Sequence, residues 1–276
     1  MSGLRRALAS PESKAPYVRR LFHTIADRYD LITRLLSYGQ DARWKRRLVA
    51  MAALSGAAAS TRTLDLACGT GDIAFALAAR GADVVGLDLT LRMLQLARAK
   101  IPPAPAAAFL AGDMMALPFA DASFDLVTAG YGLRNVPRLE PAIAEIRRVL
   151  RPGGQLLSLD FNRPSNPLVR GVYLGYLTIA GSALGWALHR DPDTYRYIPE
   201  SIKRYPGAHG VAVMLERAAF TECRVVPLLG GLMAINTGTA AAPRAGSSNP
   251  ESPIPNPESS IPDPQSSILN PRSSID

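Results

Sequence analysis

The chain has 276 residues, enough for one large α/β domain or two small ones. Hydrophobic residues make up 47% and charged residues 20%, so a sizeable core can form and wholesale disorder is excluded. The net charge of +8 is concentrated at the front, where residues 1–60 contain eleven basic and four acidic side chains. This excess indicates an anionic surface or substrate without choosing between lipid and nucleic acid.

Two cysteines, Cys68 and Cys223, cannot build a disulfide framework, which favours a reducing compartment. Arg5 and Arg6 are followed by no continuous apolar segment, so a secretory signal is not expected. Residues 1–16 are predicted to be a flexible N-terminus. The pattern of residues 17–54 predicts helices with a break at Gly39.

The last 28 residues are four tandem heptads, NPESPIP, NPESSIP, DPQSSIL and NPRSSID. A seven-residue period is typical of a coiled coil, but each unit carries a proline that is incompatible with a helix interior. We therefore predict that residues 243–276 are a disordered tail, rich in proline and serine, with no catalytic part. Binding of a partner by this tail is the alternative.

Between these ends, apolar strand patterns alternate with helical ones. The predicted strands are Arg62–Ala67, Asp83–Leu87, Ala107–Ala111, Phe124–Ala129 and Gln155–Phe161, and the predicted helices are Asp72–Arg80, Leu91–Lys100 and Pro141–Leu150, the last ended by Pro152-Gly153-Gly154. A helix at Val211–Phe220 precedes a predicted hairpin of Glu222–Leu228 and Leu232–Thr237. This rhythm predicts an α/β fold with a mostly parallel sheet covered by helices on both faces.

The segment Val169–Leu188 is apolar, and its last 18 residues carry no charge. That length reaches the lower limit for a membrane span. The alternative is a helix packed on the protein. Glycines 171, 175, 181 and 185 are spaced by four within each pair, which would permit close helix packing.

The most informative stretch is the sequence LDLACGTGD at residues 64–72, a strand followed by a glycine-rich turn and a helix. Glycines there let the backbone approach a ligand. A dinucleotide site would prefer a third glycine, although Ala74 is tolerated in some such folds. Asp65 favours a cationic ligand with an amino group, such as S-adenosylmethionine (SAM), because a carboxylate would repel a pyrophosphate.

Two further acids support a nucleoside-containing cofactor. Asp88 closes the second predicted strand, where a carboxylate can accept hydrogen bonds from both ribose hydroxyls. Asp113 follows the third strand and can accept from an adenine amino group, with the Met114 backbone N–H reaching a ring nitrogen. The alternative is that each acid only caps a helix. Three acids at three successive strand ends favour a shared site.

At this point the sequence resembles the UbiE/MenG/Coq5 family of quinone C-methyltransferases, over about residues 18–237. The resemblance is carried by FH at 22–23, YD at 29–30, LS at 36–37, WKR at 44–46, LPF at 117–119, YGLRNV at 131–136, RVLRPGG at 148–154, DTYRY at 193–197 and ESI at 200–202. The sequence departs from the family pattern at Thr33, Asp41, Gly130, Asp160 and Asn162.

The resemblance implies a class I SAM-dependent methyltransferase fold, Rossmann-like, with a mostly parallel seven-stranded sheet. Its methyltransferase domain would span residues 17–242, with N-terminal helices at 17–60 and a substrate-side helical insertion at 166–206. It also implies methyl transfer to a ring carbon of a prenylated quinol in menaquinone or ubiquinone biosynthesis. The predicted cofactor-binding residues are Asp65, Gly69, Thr70, Gly71, Asp88, Asp113, Met114 and Gly130.

The ring must become phenolate-like to attack a methyl group, and a nearby cation favours that anion. Arg134 is the candidate cation, with an ion pair to a structural acid as the alternative. His23 is a candidate for proton transfer, or else a buried structural histidine. The predicted substrate contacts are Tyr29, Asn135, Tyr195 and Tyr197, although core packing explains the last two equally well. No metal site is expected.

A greasy acceptor suggests a cytoplasmic enzyme in peripheral contact with an anionic inner membrane, through the basic N-terminal helices and residues 169–188. A homodimer or other proteins of quinone biosynthesis are candidate partners, and nucleic acid is not expected. The alternatives are a methyltransferase for another small aromatic or lipid acceptor, a non-catalytic cofactor-binding subunit, and a nicotinamide oxidoreductase.

Overall fold

One seven-stranded sheet runs through the computed structural model, which describes residues 3–54, 60–100 and 107–242. The strands are β1 Arg62–Leu66, β2 Asp83–Asp88, β3 Ala108–Ala111, β4 Phe124–Gly130, β5 Leu150–Phe161, β6 Phe220–Leu228 and β7 Met233–Ala240. Their order across the sheet is β3-β2-β1-β4-β5-β7-β6. Strands β1 to β5 are parallel, and β7 runs antiparallel to its neighbours β5 and β6.

Ten α-helices surround the sheet within the described ranges. They are α1 Gly3–Ala7, α2 Pro11–Ile25, α3 Tyr29–Leu36, α4 Asp41–Ala50, α5 Asp72–Ala78, α6 Leu91–Ala99, α7 Leu139–Val149, α8 Pro167–His189, α9 Asp193–Arg204 and α10 Gly207–Arg217. Helices α4, α5 and α6 bury apolar side chains in the core on one face of the sheet. Helices α7 and α10 do so on the other face, which confirms the predicted architecture.

The order of the strands creates a crevice beside β1. The chain moves outward from β1 to β2 and β3, then returns to place β4 on the opposite side of β1. In open α/β sheets, ligands bind outside the carboxyl ends of the strands at such a reversal. The predicted glycine-rich turn follows β1, so the fold places it at this crevice.

Two predicted boundaries near the sheet were wrong. Pro152-Gly153-Gly154 does not separate a helix from a strand, because α7 ends at Val149 and β5 begins at Leu150. The three residues lie inside β5, where its pairing with β4 shifts register between Phe124 and Leu126. Such irregularities let a strand keep its course across turn-forming residues. Phe220 likewise begins β6 and does not end the preceding helix.

The prediction of a loose N-terminus was wrong for residues 3–16, which form α1 and the start of α2. Ser10 caps α2 in a reciprocal hydrogen-bonded box with Ser13. Leu4 and Leu8 are buried beside Tyr195 and Tyr197. This tertiary packing outweighs a local sequence that has little helical periodicity of its own. The predicted repeat tail, residues 243–276, lies outside the described residues.

Residues 166–206 form α8 and α9, which pack against each other. By length and composition alone, α8 could cross a membrane. The protein buries one side of it, including Tyr173, Leu177 and Gly181.

The two predicted glycine pairs of α8 differ in their surroundings. A Cβ at Gly181 would lie 3.1 Å from the carbonyl oxygen of Tyr195, whereas Gly175 has open space around it. The second glycine pair alone lies against other parts of the chain, Gly181 against α9 and Gly185 against the turn that precedes it.

Replacing Gly185 by alanine should destabilise the fold, because its Cβ would lie 2.5 Å from the carbonyl oxygen of Asp191. Overpacking of this kind costs roughly 1–3 kcal/mol of unfolding free energy. Gly175→Ala is the matched control on the same helix, and we expect it to be neutral or to stabilise by about 0.5–1 kcal/mol. Denaturant unfolding measures both, and equal stabilities for the two variants would contradict the packing role.

Candidate active site

A cavity of about 120 Å³, here called the smaller cavity, lies at the carboxyl ends of β1, β2 and β4. Its floor comes from the backbone that follows these strands. Helix α2 and the start of α3 close it from the N-terminal side through Val18, Phe22 and Tyr29. Of the predicted cofactor residues, the structure brings five into this wall: Gly69, Asp88, Asp113, Met114 and Gly130.

Asp88 is the central acid of the smaller cavity. Its Oδ2 accepts a hydrogen bond from the backbone N–H of Gly69 at 2.9 Å, and its Oδ1 accepts from that of Thr90 at 2.7 Å. Burial raises the pKa of Asp88, although both N–H donors work against this. A carboxylate offers about four acceptor positions, so capacity remains for two ligand hydroxyls. Capping and ligand binding are therefore compatible roles for this residue.

The turn after β3 supplies a second acid. Asp113 accepts a hydrogen bond from the backbone N–H of Met115 at 2.9 Å, so it also shapes its own turn. Close packing at Gly132 forms another part of the wall. A Cβ at Gly132 would lie 2.9 Å from the Cβ of Ala67 and 3.2 Å from the Cε of Met114. A larger residue at Gly132 would therefore have to displace the cavity wall.

Asp65 does not line the smaller cavity, which corrects the prediction that it grips the ligand directly. It is 1% exposed and lies one layer below the loop, where its Oδ1 accepts from the Thr128 hydroxyl at 2.7 Å. Its Oδ2 is buried without a hydrogen-bond partner among the described residues. Burial raises the pKa of Asp65 to about 7. An orphaned carboxylate oxygen of this kind fits a cationic group nearby better than an anionic one.

Thr70 and Gly71 also lie behind the cavity wall. The Thr70 hydroxyl donates to Asp30 at 2.7 Å, which joins the loop to α3. Gly71 has a φ of +89° and immediately precedes α5. Its missing Cβ would meet the Phe75 ring at 2.6 Å, so this position requires glycine for both reasons. The two residues shape the loop, and Gly69 is the loop residue that reaches the cavity.

Two strained residues in the cavity wall were missed by the sequence analysis. Ala67 follows β1 with a φ of +50°, and Tyr131 follows β4 with a φ of +58°. Left-handed backbone at a residue other than glycine costs about 1 kcal/mol or more. Both strands therefore turn sharply where they meet the crevice. No local composition signals this, because neither residue favours the conformation.

A cavity of about 450 Å³, here called the larger cavity, adjoins the smaller one. Helices α2, α3, α8 and α9 surround it, with additional residues from the turn after β4 and the hairpin of β6 and β7. Its wall is mainly apolar and aromatic, and includes Trp44, Phe161, Tyr173, Tyr195 and Tyr197. Such a chamber fits a flat apolar ring with a hydrocarbon substituent.

The two cavities share four wall residues: Phe22, Tyr29, Tyr131 and Asn135. Tyr29 and Asn135 were predicted to contact the substrate, and both lie where the cavities meet. The Nδ2 of Asn135 donates to the carbonyl oxygen of Tyr131 at 2.6 Å. Its Oδ1 accepts from the hydroxyl of Tyr197 at 2.8 Å, so the amide is locked between a strand end and α9.

Arg134 lies in the wall of the larger cavity and is only 5% exposed. Its Nε is 3.2 Å from Asp160 Oδ1, and its backbone N–H donates to the other oxygen at 3.0 Å. The guanidinium also donates to Ser201 and lies over the rings of Phe161 and Tyr197, at 5.0 and 5.7 Å. Burial works against its charge, but Asp160 outweighs burial and raises the pKa of Arg134. Arg134 therefore forms the ion pair that was the alternative prediction, and it also lies in the wall of the larger cavity.

A second polar network reaches the junction of the cavities. The hydroxyl of Tyr131 donates to Asp41 Oδ1 at 2.7 Å. Lys45 lies 2.7 Å from Asp41 Oδ2 and 2.9 Å from Asp72. In the sequence, Asp41 stood out only as a departure from the family pattern, and its contact with Tyr131 joins residues 90 positions apart.

His23 is not at the site, which corrects the prediction of a proton-transfer role. Its side chain is exposed on α2 and lines neither cavity. The buried residues of α2 are Val18, Leu21 and Ile25, a helical stripe that turns His23 to the opposite side.

Tyr195, one of the predicted substrate contacts, is buried in the wall of the larger cavity, and its hydroxyl lies 2.8 Å from the Nε2 of His189.

Solved structures with the same fold come from SAM-dependent methyltransferases. One from Thermotoga maritima has a TM-score of 0.59 at 18% identity, covering 81% of this chain and 99% of that chain. One from Mesorhizobium loti has a TM-score of 0.52 at 22% identity, and the match covers 72% of this chain and 97% of that chain. The fold, Asp88 with its free acceptor positions and the orphaned oxygen of Asp65 together fit that cofactor. They define a class I SAM-dependent methyltransferase.

The sequence pattern of the ubiE/COQ5 methyltransferase family matches residues 10–240. The UbiE ubiquinone/menaquinone biosynthesis C-methyltransferase of Syntrophotalea carbinolica is 40% identical over 228 residues, which is 82% of this chain and 94% of the relative. The demethylmenaquinone methyltransferase of Thermus thermophilus is 42% identical over 221 residues, 79% and 99% of the two chains. This chain therefore belongs to the ubiE/COQ5 methyltransferase family and is a SAM-dependent enzyme.

Asp88→Ala should weaken binding of SAM by roughly 10–100-fold, since hydrogen bonds to a charged group contribute about 1.5–3 kcal/mol. Isothermal titration calorimetry measures the Kd. Asp83→Ala is the matched control, because Asp83 is exposed at the opposite end of the same strand. Unchanged affinity in Asp88→Ala, with reduced thermal stability, would leave this acid with its capping role alone.

Asp65→Asn should remove a pH dependence of stability. Burial raises the pKa of Asp65 from its ordinary value of 3.8 to about 7, so the folded state retains a proton that the unfolded chain releases. The wild type should therefore lose stability as the pH rises from about 4 to about 7, by at most on the order of 4 kcal/mol. Denaturant unfolding at several pH values measures the free energy of unfolding of the wild type and of Asp65→Asn. Asp83→Asn, at an exposed position, is the control. Parallel pH curves for wild type and Asp65→Asn would contradict the assignment.

Proposed function

We propose that the chain methylates a ring carbon of a prenylated quinol, of the kind named for its ubiquinone and menaquinone relatives. The observation that carries this proposal is the junction of the two cavities. The smaller cavity offers carboxylates for a nucleoside and the larger offers an aromatic chamber, and they meet at Tyr29, Tyr131 and Asn135. A methyl donor and a flat apolar ring would therefore face each other at this wall.

The residues of the smaller cavity hold and orient the donor. Asp88 would accept hydrogen bonds from its ribose hydroxyls, Asp113 would accept from its adenine amino group, and the Met114 backbone N–H would reach a ring nitrogen. The buried Asp65 lies beneath the loop, where a bound cation would favour its carboxylate form. When bound, SAM supplies an electrophilic methyl group to the ring carbon. Alignment of the two ligands supplies much of the rate.

Arg134 stabilises negative charge on a ring oxygen. Its ion pair with Asp160 keeps the guanidinium protonated and fixes its orientation, so it acts as a cation and not as a base. In an apolar chamber a fixed cation favours the quinolate more strongly than it would in water. The packing of Phe161 and Tyr197 against Arg134 excludes water from the same point.

Tyr131 and Asp41 provide a route for the proton that the ring hydroxyl loses. The Tyr131 oxygen takes this proton while the Tyr131 hydroxyl passes its own proton to Asp41 Oδ1, 2.7 Å away. Lys45 stabilises the acceptor carboxylate until the proton arrives. The quinolate retains the electron pair that would form the new carbon–methyl bond, while the sulfur–methyl bond would break with its electrons left on sulfur. The hydrogen on the methylated carbon would then leave as a proton and the ring oxygen would be reprotonated, which restores the aromatic quinol.

We place the enzyme in the cytoplasm in peripheral contact with a membrane, because a polyprenyl tail is retained by lipid. A homodimer and partners from quinone biosynthesis stay predictions. The preference between benzoquinol and naphthoquinol is tested by activity.

The test of the function is methyl transfer from labelled SAM to two separate acceptors, demethylmenaquinol and a demethylated ubiquinol precursor, analysed by mass spectrometry of the extracted quinol. We expect one added methyl group on a ring carbon of at least one acceptor. If the label appears in another small aromatic compound or lipid and in neither quinol, the quinol assignment is wrong and that acceptor is the substrate class. Cofactor binding without transfer to any acceptor would favour a non-catalytic subunit.

Arg134→Met should lower kcat by roughly 100-fold or more while leaving the Kd of SAM near the wild-type value. It also leaves Asp160 buried without a cation, which costs about 3–5 kcal/mol of stability. The double variant Arg134→Met/Asp160→Leu replaces both charges with apolar groups and should recover most of that stability. If the double variant recovers activity together with stability, the role of Arg134 is structural only.

A further inference from the structure

One face of α8 carries large apolar side chains that the protein leaves in solvent. Leu168, Val172, Tyr176, Ile179 and Trp186, here called the α8 stripe, follow one another at helical spacing. Leu168 and Ile179 are 76% and 75% exposed. The stripe extends over about 27 Å of helix at 1.5 Å per residue. A continuous exposed apolar stripe of this length marks an interaction surface.

The stripe reaches the mouth of the larger cavity. Tyr176 belongs to both the stripe and the cavity wall, and it stacks on the exposed Tyr38 with ring centroids 6.1 Å apart. The two hydroxyls are 2.7 Å apart. Leu229, which is 55% exposed, also lines the larger cavity. An apolar surface therefore continues from the outside of α8 into the chamber assigned to the quinol.

The stripe itself is nearly free of charge, and two exposed cations lie beside the mouth of the larger cavity. Gly171–Leu188 contains no charged residue. Next to the mouth, Arg43 and Arg47 of α4 line a shallow depression together with Leu229. Both arginines are exposed, and within the described ranges neither forms an ion pair with an acid. Apolar side chains beside unpaired cations match the interface of an anionic bilayer, where the acyl region lies below negatively charged headgroups.

We propose that the α8 stripe, Tyr38 and Leu229 lie in the surface of an anionic bilayer, with Arg43 and Arg47 at its headgroups. Helix α8 then runs parallel to the membrane. A span would expose its buried side, which packs on α9 at Gly181 and on the turn before α9 at Gly185. This inference rests on the proposed function, because it assigns the cavity mouth as the route by which a prenyl tail leaves the lipid. A second copy of the chain on the same face would cover that mouth.

Trp186 makes the contact directly measurable. The chain has two tryptophans, of which Trp44 is buried and Trp186 is 62% exposed on the stripe. Addition of phosphatidylcholine vesicles containing phosphatidylglycerol should shift Trp186 emission to shorter wavelength, and the protein should sediment with them. Vesicles of phosphatidylcholine alone should bind more weakly, and salt should reduce binding to the anionic vesicles. In Trp186→Phe the emission shift should be lost while sedimentation persists.

The variant Val172→Glu/Ile179→Glu should bind anionic vesicles at least about tenfold more weakly, since it places two charges in the apolar contact. Arg43→Gln/Arg47→Gln should lose most of the preference for phosphatidylglycerol. Val213→Glu is the matched control, an exposed apolar position on α10 away from the stripe. Val172 and Ile179 line neither cavity, so methylation of a short-tailed soluble quinol should be unchanged. The KM for a long-tailed quinol in vesicles should rise.

Wild-type vesicle binding by Val172→Glu/Ile179→Glu would overturn the proposal. It would also be overturned if the wild type ignored vesicles and formed a dimer that this variant dissociates in analytical ultracentrifugation, because a second copy would then be the occupant. These outcomes are separate from failure of the proposed function. An enzyme that binds vesicles through the stripe but methylates no quinol keeps its membrane surface and loses its substrate assignment.

Discussion

The buried ion pair of Arg134 and Asp160 holds together the wall on which both cavities depend. Asp160 lies near the end of β5, and Arg134 lies in the turn after β4, so the pair ties two strand ends at the crevice. Ser201 of α9 accepts from the same guanidinium. The Nζ of Lys14 on α2 donates to the carbonyl oxygens of Arg134 and Val136, at 3.0 and 2.7 Å. Helices α9 and α2 are thereby both tied to the turn that carries Arg134.

This arrangement explains how an apolar chamber can contain a permanent cation. An isolated buried charge would be strongly disfavoured, whereas a pair with further hydrogen bonds is tolerated. Because Asp160 occupies Nε and Ser201 occupies another nitrogen, the guanidinium has little freedom to rotate. A ligand oxygen would then meet a cation that needs little reorganisation, which is the condition for electrostatic stabilisation in an active site.

The parts of the site that follow from the sheet were predictable from the sequence. Parallel strands collect their carboxyl ends at one edge, so Asp88 and Asp113 could be placed together from strand order alone. Asp65 was harder to place, since it lies within β1, before the sharp turn at Ala67, and its side chain is buried beneath the loop that follows. The contact of Tyr131 with Asp41 depends on how α4 docks, which no local pattern specifies. The exposure of His23 was predictable, because Val18, Leu21 and Ile25 form the apolar stripe on the other side of the helix.

The two cavities divide the ligands by polarity. The smaller cavity presents carboxylates and backbone groups, whereas the larger presents aromatic rings and opens beside the α8 stripe. Because they touch only through a few shared residues, a water-soluble donor and an apolar acceptor can enter from different sides and meet at one wall. With the mouth of the larger cavity on a bilayer, the donor could be exchanged while the acceptor tail remained in lipid. With separate entry, turnover would not require the unfavourable free energy of transferring the whole tail from lipid into water.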